Sequence, residues 1–407
     1  MSKSSTQPSV HVVGIGEDGL VGLTPIAKAL IDSAEVLVGG ERHLDKAPDI
    51  KALRIDWSAG FGATLDIIKS HFGKRIVVLA SGDPFHFGVG ATLVRRFGAD
   101  HVFVLPSPSS ISLTCARMGW SIPDVTVVTI HGRALEHLNL HVTDKVRLVV
   151  LARDGKSPQE VAALLTQRGF GGSKITVWEH LGGDKERKIE ALAQDWTEEC
   201  AQLCILAIEC VAGSDARAYS RLAGLPDDAF ENDGQLTKRE VRAVTLSSLA
   251  PKPGEVLWDV GAGAGSIAIE WMRSSRSCTA VAIERDPDRA ARIARNAANL
   301  GVPKLKIEHA EALEALETLE GTPDAVFVGG GVGIPGLLDA AWARLKPGGC
   351  LVVNAVTVEG GAALSAFKTE HGGDLLRLTV EHAEQKGQSA TFMTAMRTVT
   401  QYIGAKS

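Results

Sequence analysis

Short runs of apolar, β-branched residues alternate with helical patterns along almost the whole chain. Such runs are typical of strands buried on both faces, and their alternation with helices favours parallel sheets covered by helices. In the first half the predicted strands cover residues 10–15, 36–38, 75–80, 102–105, 125–130, 147–151, 175–178 and 204–208. In the second half they cover residues 255–260, 278–283, 305–309, 325–328 and 349–354, followed by two further β-rich segments. The pattern predicts an α/β fold.

A chain of 407 residues is too long for one ordinary hydrophobic core, so we expect at least two domains. The periodicity falters over residues 213–235, a polar stretch that contains Pro226, and this favours a linker. We therefore predict a first domain over residues 1–212, a linker over 213–235 and a second domain over 236–407. Just after the linker, Thr237 and Glu240 form a capping-box pattern that predicts the start of a helix.

The net charge of −5 disfavours nucleic acid or an anionic membrane surface as a partner. The apolar run at 203–212 is interrupted by Glu209 and is too short to span a bilayer, and residues 1–9 lack the apolar core of a signal peptide. We expect a cytoplasmic protein that binds neither nucleic acid nor membrane. The six cysteines show no CxxC spacing, and we predict no metal site.

A glycine-rich turn in the second half carries the sharpest motif. The strand predicted at 255–260 ends in Asp259 and Val260 and is followed by Gly261, Gly263 and Gly265. Glycine is needed where a ligand lies against the backbone. The next predicted strand leads to Glu284, about 20 residues further on, where a carboxylate can accept hydrogen bonds from both hydroxyls of a ribose. The pair predicts a cofactor that contains ribose.

The spacing of the glycines separates two kinds of cofactor. A nicotinamide fingerprint requires a third glycine where Ser266 stands. The pattern acid–x–Gly–x–Gly–x–Gly instead resembles the first motif of class I S-adenosylmethionine-dependent methyltransferases. This resemblance places Asp259 near the methionine amino group of the cofactor and Glu284 at its ribose. It implies further cofactor contacts in the second domain at Thr237, Glu311, Ala312 and Gly329.

In the first half, Gly14, Gly16 and Gly19 formally match the dinucleotide fingerprint, but Glu35 precedes the next strand when it should end it. An ordinary tight turn is the simpler interpretation. Two further turns, at 81–85 and 106–110, follow predicted strands at the edge where open α/β sheets bind ligands. Together with the opening glycines they resemble the class III tetrapyrrole methyltransferases, over about residues 10–211.

That resemblance implies a domain of two α/β subdomains that hold S-adenosylmethionine largely through backbone groups. The cofactor-binding positions it implies are Gly82, Asp83, Pro84, Ser109 and Ser110. A tetrapyrrole carries many carboxylates, which call for cationic partners. In the first domain the candidates for binding substrate are Arg42, His43, His131 and Arg133.

A class III domain followed by a class I, Rossmann-like domain resembles the bifunctional methyltransferases of cobalamin biosynthesis over nearly the full chain. The resemblance implies methylation of carbon 5 by the first domain, and methylation of carbon 15 with decarboxylation of the ring C acetate by the second. It also implies one S-adenosylmethionine per domain and a homo-oligomer, dimer or tetramer. In the second domain we select Asn354, Lys238 and Arg242 as catalytic candidates and Arg239 as a substrate-binding one.

Two other interpretations stay open from the residues alone. One is a nicotinamide-dependent oxidoreductase with two Rossmann-like domains. The other is a tetrapyrrole carrier without catalysis, in which the glycine turns are only turns. Each of the selected arginines and lysines, considered alone, could also be an ordinary charged residue on the protein surface.

Overall fold

The computed structural model describes residues 9–386 and 390–407. Within this part the chain divides into two compact units. The first unit runs to Arg133 and resumes over Thr143–Ala216, and the second consists of Ala134–Val142 and Arg217–Ser407. The change of unit at Ala216 lies inside the segment predicted as a linker, whereas no sequence pattern predicts that Ala134–Val142 belongs with the second unit.

The first half of the first unit is built on a parallel sheet in the order β3-β2-β4-β1-β5. Alternate strand residues bury apolar side chains on both of its faces, with Val10, Val12 and Val78 on one and Val13 and Leu79 on the other. The elements are β1 (Val10–Ile15), α1 (Pro25–Asp32), β2 (Val36–Val38), α2 (Glu41–Leu44), β3 (Leu53–Ile55), α3 (Phe61–Ser70), β4 (Ile76–Ser81), α4 (Gly90–Phe97), β5 (Val102–Leu105) and α5 (Ser110–Met118).

A second sheet, in the order β6-β7-β10-β8-β9, completes the first unit. Its elements are β6 (Val125–Thr129), β7 (Arg147–Leu151), α6 (Ser157–Gln167), β8 (Lys174–Glu179), β9 (Arg187–Leu192) and β10 (Cys204–Glu209). Only β6 and β7 pair in parallel, and the other three pairings are antiparallel. The prediction of parallel sheets throughout is therefore wrong here. The connection between β8 and β9 is too short for a parallel crossover, so these two strands must run in opposite directions.

The second unit is built on a sheet in the order β13-β12-β11-β14-β15-β19-β16, whose first five strands are parallel. Strand β19 runs antiparallel to both of its neighbours, and β17 and β18 form a separate hairpin. The strands are β11 (Val256–Val260), β12 (Thr279–Ile283), β13 (Lys306–Glu308), β14 (Ala325–Val328), β15 (Cys350–Ala355), β16 (Asp374–Leu378), β17 (Glu381–Lys386), β18 (Ala390–Ala395) and β19 (Val399–Ala405). The helices are α7 (Arg239–Leu249), α8 (Ser266–Ser274), α9 (Pro287–Asn299), α10 (Ala312–Thr318), α11 (Leu337–Arg344) and α12 (Val358–His371).

Helix α7 shows where the predicted helix start is wrong. It begins at Arg239 with Lys238 as N-cap, and no side chain caps it. The capping box predicted at Thr237 is therefore not formed, which leaves the Thr237 hydroxyl outside the helix. No helix in the described part of the chain is long and apolar enough to cross a membrane.

Candidate active sites

Three turns interlock at the carboxyl edge of the first sheet, after β1, β4 and β5. The Gly82 amide donates to the Ile15 carbonyl at 3.1 Å, and the Ser107 amide donates to the Gly82 carbonyl at 3.1 Å. The Ser107 hydroxyl donates to the Gly14 carbonyl at 2.8 Å. A Cβ on Gly14 would lie 1.9 Å from the Gly82 carbonyl oxygen, so this close approach requires glycine. Gly82 and its neighbours form one wall of a cavity of about 820 Å³.

The predicted cofactor residues of the first domain surround this cavity, with one exception. Gly82, Asp83, Ser109 and Ser110 line it, whereas Pro84 does not. The Asp83 carboxylate accepts from the Phe85 amide at 2.9 Å, and the Ser109 hydroxyl accepts from the Ser112 amide at 3.1 Å. Both side chains therefore hold their own turns, which leaves backbone groups to face a ligand.

The predicted substrate-binding residues Arg42, His43, His131 and Arg133 line the same cavity. Burial, together with the charges of Arg42 and Lys46, lowers the pKa of His43 to about 4. In the absence of substrate His43 is therefore neutral at pH 7, so it offers a hydrogen bond there and not a positive charge. Its Nε2 lies 2.9 Å from the Ser81 hydroxyl, so its role there is to form a hydrogen bond.

Glu17 is a residue of this cavity that sequence reasoning missed. It accepts hydrogen bonds from Arg42 and from Lys46, the latter at 2.7 Å. Burial tends to raise the pKa of Glu17, but the Lys46 hydrogen bond and the Arg42 charge outweigh it and hold the pKa below its ordinary value. Arg42 thus already has a carboxylate partner, with which a substrate carboxylate would compete. The only signal in the sequence was an acid directly after Gly16.

A second cavity, of about 950 Å³, lies at the carboxyl edge of the second unit's sheet. Gly261, Gly263, Asp259 and Glu284 line it. The Glu284 carboxylate accepts from the Gly263 amide at 2.8 Å and from the Asp286 amide at 3.1 Å. The acid that follows β12 and the turn after β11 are therefore joined directly.

Gly265 does not line this cavity. A Cβ there would lie 2.8 Å from Cγ2 of Ile293, so its glycine allows α9 to pack closely against the turn. The prediction that Gly265 contacts the cofactor is corrected to this packing role.

Asp259 is a buried acid with unused hydrogen-bonding capacity. Its Oδ2 accepts from the Ala268 amide at 3.0 Å, whereas its Oδ1 has no hydrogen-bond partner among the described residues. Burial raises the pKa of Asp259 to about 7; the Ala268 hydrogen bond opposes the rise and the Glu284 charge adds to it. A cationic amino group beside Asp259 would satisfy the free oxygen and stabilise its ionised form.

The remaining candidates of the second domain fall into two groups. Those that line the cavity are Thr237, Lys238, Glu311, Ala312, Gly329 and Asn354. Arg239 and Arg242 do not line it. The Arg239 side chain donates to the Gly224 carbonyl at 3.1 Å, on the surface.

Arg242 is completely buried and has a structural role. Its Nε donates to Glu270 at 2.6 Å, its NH1 donates to Asp227 at 3.2 Å, and the guanidinium stacks on the Phe230 ring at 4.8 Å. These contacts join the segment before α7 to α8. The prediction that Arg242 acts in catalysis is therefore replaced by this fold-supporting role.

Asn354 is held by a buried polar network that the sequence did not reveal. Its Nδ2 donates to the Thr245 hydroxyl at 2.9 Å, and its Oδ1 accepts from Gln401 Nε2 at 2.8 Å. Gln401 Nε2 also donates to Thr245 at 3.0 Å, and Thr245 donates to the Val241 carbonyl at 2.8 Å. These bonds fix the orientation of the Asn354 amide in the cavity wall. The partners come from α7, β15 and β19, so no local pattern links them.

A segment before α7 covers the glycine-rich turn. A Cβ on Gly263 would lie 3.1 Å from the Gln235 carbonyl oxygen. Asp233 anchors this segment to α9 by accepting from Arg289 at 2.9 Å and pairing with Arg292 at 3.0 Å. Hydrogen bonds from Arg289 and Arg292 hold the pKa of Asp233 well below its usual range. The sequence analysis did not predict this ion pair, because Asp233 and Arg289 are far apart in sequence and only the fold brings them together.

Comparison with known proteins assigns both units. Residues 9–196 match the family model of the Tetrapyrrole (Corrin/Porphyrin) Methylases, and residues 228–406 match that of the Precorrin methyltransferase domain. Together with the two strand-edge cavities, these matches define a two-domain methyltransferase, an enzyme class that uses S-adenosylmethionine as methyl donor, and they confirm the predicted fold class. A Sinorhizobium relative named precorrin-6Y C(5,15)-methyltransferase [decarboxylating] is 45% identical over 401 residues, which is 98% of this chain and 97% of the relative. The chain belongs to the precorrin-6Y C(5,15)-methyltransferase (decarboxylating) family.

Two shorter relatives resemble parts of the chain. A Salmonella typhimurium protein named cobalt-precorrin-7 C(5)-methyltransferase is 39% identical over 176 residues, 43% of this chain and 87% of the relative. A Saccharolobus solfataricus protein named probable cobalt-precorrin-6B C(15)-methyltransferase (decarboxylating) is 33% identical over 153 residues, 36% of this chain and 77% of the relative. The two activities in the longer relative's name thus also occur in separate proteins.

Proposed function

We propose that this enzyme methylates carbons 5 and 15 of precorrin-6Y and removes carbon dioxide from its ring C acetate, in cobalamin biosynthesis. The first unit acts at carbon 5, and the second acts at carbon 15 and decarboxylates. The observation that carries the proposal is the presence of two separate cavities, each bordered by a glycine turn at the carboxyl ends of parallel strands. The separate C(5) and C(15) relatives support this division of labour.

Each cavity binds one S-adenosylmethionine in this proposal. In the second cavity, Asp259 takes the amino group of the methionine part and Glu284 takes the ribose hydroxyls, with Thr237, Glu311, Ala312 and Gly329 as further contacts. The free oxygen of Asp259 and the backbone exposed at Gly261 and Gly263 fit such a ligand. In the first cavity, the backbone at Gly82, Ser109 and Ser110 has the same role, and Asp83 and Pro84 support it.

The cofactor supplies an electrophilic methyl group when bound. The protein holds the acceptor carbon in line with that group. A meso carbon of a reduced tetrapyrrole is a competent nucleophile, and alignment alone can contribute about 7–11 kcal/mol to lowering the barrier. Asn354, whose amide is fixed by Thr245 and Gln401, orients the reacting ring in the second cavity. Decarboxylation proceeds when the acetate is partly desolvated and the macrocycle accepts the electron pair.

Substrate carboxylates are bound in the first cavity by Arg42 and Arg133, and His43 and His131 serve as hydrogen-bonding groups. Phe85 is 53% exposed and also lines this cavity, so it offers an apolar face to the macrocycle. Lys238 lines the second cavity and has only a 3.5 Å ion pair with Asp227.

We further infer that the enzyme works in the cytoplasm as a homo-oligomer, dimer or tetramer; light scattering of the purified chain tests the oligomeric state.

The proposal is tested by calorimetric titration of the full chain with S-adenosylhomocysteine. We expect two sites per chain. Glu284→Gln removes the anionic acceptor and should weaken one site about tenfold or more, since hydrogen bonds to charged groups contribute about 1.5–3 kcal/mol. Asp83→Ala should weaken the other site only. At a subsaturating concentration of S-adenosylmethionine, methyl transfer to carbon 15 should slow in the first variant and be unchanged in the second.

A single site in the wild-type chain would contradict the double methyltransferase. If titration with NAD gives a heat of binding and titration with S-adenosylhomocysteine gives none, the oxidoreductase interpretation is favoured instead. Binding of tetrapyrrole without any methyl transfer would favour a carrier.

A further inference from the structure

The two ends of the second cavity differ in charge. Asp259 and Glu284 make one end acidic, and both are nearly fully buried. The other end is formed where β15 finishes and β19 begins. These strands are antiparallel neighbours with Ala355 opposite Thr400, so the residues that follow β15 lie beside those that precede β19. Arg397 lines the cavity at this second end.

The cations that line this cavity differ in whether they already have an acidic partner. Lys238 lies 3.5 Å from Asp227, Arg285 lies 3.7 Å from Glu311, and Arg289 lies 2.9 Å from Asp233. Arg397 is exposed, and over residues 9–386 and 390–407 it has neither an ion pair nor a hydrogen bond. Its positive charge is therefore available to a ligand, whereas the other three are compensated by the protein.

The surroundings of Arg397 in the cavity wall are apolar. Val356 is 53% exposed and Ile334 is 37% exposed, and both line the cavity together with Met396 and Val399. An apolar wall of this kind suits the face of a large flat ligand, because covering it removes apolar surface from water. A single free guanidinium at its edge suits an acidic substituent of the same ligand.

We propose that the β15–β19 end is the acceptor subsite of the second unit, and that Arg397 binds a peripheral carboxylate of the tetrapyrrole there. The proposal rests on the proposed function and names the residue that holds the macrocycle. A guanidinium presents a planar fork that matches a carboxylate in a bidentate pair. The acidic end then receives the amino group and the ribose of the cofactor, and the basic end receives the anionic substrate.

The carboxylate held by Arg397 is not the acetate that is lost. Pairing with a guanidinium stabilises a carboxylate, and that stabilisation would raise the barrier to release of carbon dioxide. Arg397 therefore fixes the orientation of the macrocycle through a substituent that stays, while the acetate that leaves is kept away from cations. Arg397 is in this sense a binding and positioning residue.

The test compares Arg397→Gln with Arg377→Gln in the full chain. Arg377 is an exposed arginine of the same unit, on β16, and it does not line the cavity, so its variant removes the same charge elsewhere. The substrate is precorrin-6Y, and an isotopic methyl label locates the product methyl at carbon 5 or 15. For Arg397→Gln we expect the KM of the tetrapyrrole at carbon 15 to rise about tenfold. Methylation at carbon 5 and the Kd of S-adenosylhomocysteine should stay within about twofold.

Arg397→Lys keeps the charge but loses the fork, and should give an intermediate KM. An unchanged KM in Arg397→Gln, an equal rise in Arg377→Gln, or a parallel loss of S-adenosylhomocysteine binding would each overturn the subsite. Failure of the proposed function is seen separately, because the wild-type chain would then transfer no methyl group to precorrin-6Y.

Discussion

At the scale of single residues, Asp259 and Glu284 show how two carboxylates in one cavity acquire different properties. Both carboxylate oxygens of Glu284 accept a backbone hydrogen bond. Asp259 accepts one and is deeply buried, so desolvation dominates and raises its pKa to about 7. Asp259 therefore changes its charge in the range where enzymes are usually assayed.

We predict that binding of S-adenosylhomocysteine to the second cavity weakens roughly tenfold between pH 8 and pH 6. Below pH 7 the Asp259 carboxyl is protonated in the free protein, and it must lose that proton to pair with the ligand's amino group. Calorimetric titrations at pH 6, 7 and 8 measure the effect. Asp259→Asn should bind weakly with little dependence on pH, and an equally steep dependence in that variant would exclude Asp259 as its source.

The same pKa has a consequence for stability, with a defined sign. Because folding raises the pKa of Asp259 above its ordinary value of 3.8, its contribution to the free energy of unfolding is present at low pH. That contribution is lost as pH rises toward 7. Ligand binding, which favours the ionised form, opposes the loss.

The residues that were predictable are those whose role follows from a local motif. Asp259, Glu284 and Gly82 stand at strand ends beside glycines, and the structure places them in the cavities. The neutral state of His43 and the burial of Arg242 depend on partners far away in sequence. Such partners cannot be read from spacing, because only the fold brings them together.

At the scale of elements, the turns after β1, β4 and β5 act as one structure, since backbone hydrogen bonds join all three. At these turns, Gly14 has no room for a side chain, because a Cβ would meet the backbone of Gly82. Any side chain there must push apart the turns that border the first cavity.

We predict that Gly14→Ala destabilises the protein by about 1–3 kcal/mol or more and abolishes binding of S-adenosylhomocysteine to the first cavity only. The Gly14 Cβ would lie 1.9 Å from the Gly82 carbonyl oxygen. Gly62→Ala, in α3, is the matched control because its Cβ would meet nothing within 4 Å, and alanine is the better helix former. Thermal unfolding and calorimetric titration of both variants measure the effect. Normal binding by Gly14→Ala would show that the turns tolerate separation.

The order of strands and helices was largely predictable, because buried parallel strands are continuous apolar runs. Two strands of the first half, β3 and β9, were not predicted, because neither is a continuous buried apolar run. Both are edge strands, and β9 is mostly exposed, with Arg187 and Lys188 at its start. Strand direction in the second sheet also escaped prediction, because apolar runs carry no information about pairing.

At the scale of the whole molecule, the second unit includes a piece of chain from the first half. In this segment, Ala134–Val142, the partly buried Leu140 packs against the hydrophobic core of the second unit. Asn139 donates to the Ala298 carbonyl at 3.1 Å, and Leu140 packs so closely on Gly301 that a Cβ there would lie 2.7 Å away. The second unit is therefore incomplete when it is cut off after the linker.

We predict that a fragment of residues 217–407 unfolds several degrees below the second-unit transition of the full chain. The fragment loses the packing of Leu140 on the core of the second unit and the hydrogen bond from Asn139 to Ala298. Calorimetry of the fragment and the full chain, each with saturating S-adenosylhomocysteine, measures the difference. Asn139→Ala in the full chain should lower the same transition by a smaller amount, and equal transition temperatures for fragment and full chain would contradict the prediction.

The interruption at Ala134–Val142 also has a consequence for biosynthesis. The ribosome completes this segment long before it reaches strand β11, so during translation Leu140 lacks the second-unit core that it packs against. A nascent or truncated chain that stops short of the second unit displays an apolar loop, which marks it for chaperones and proteases. Only a chain that contains the folded second unit covers this segment, so survival of the first unit depends on synthesis of the second.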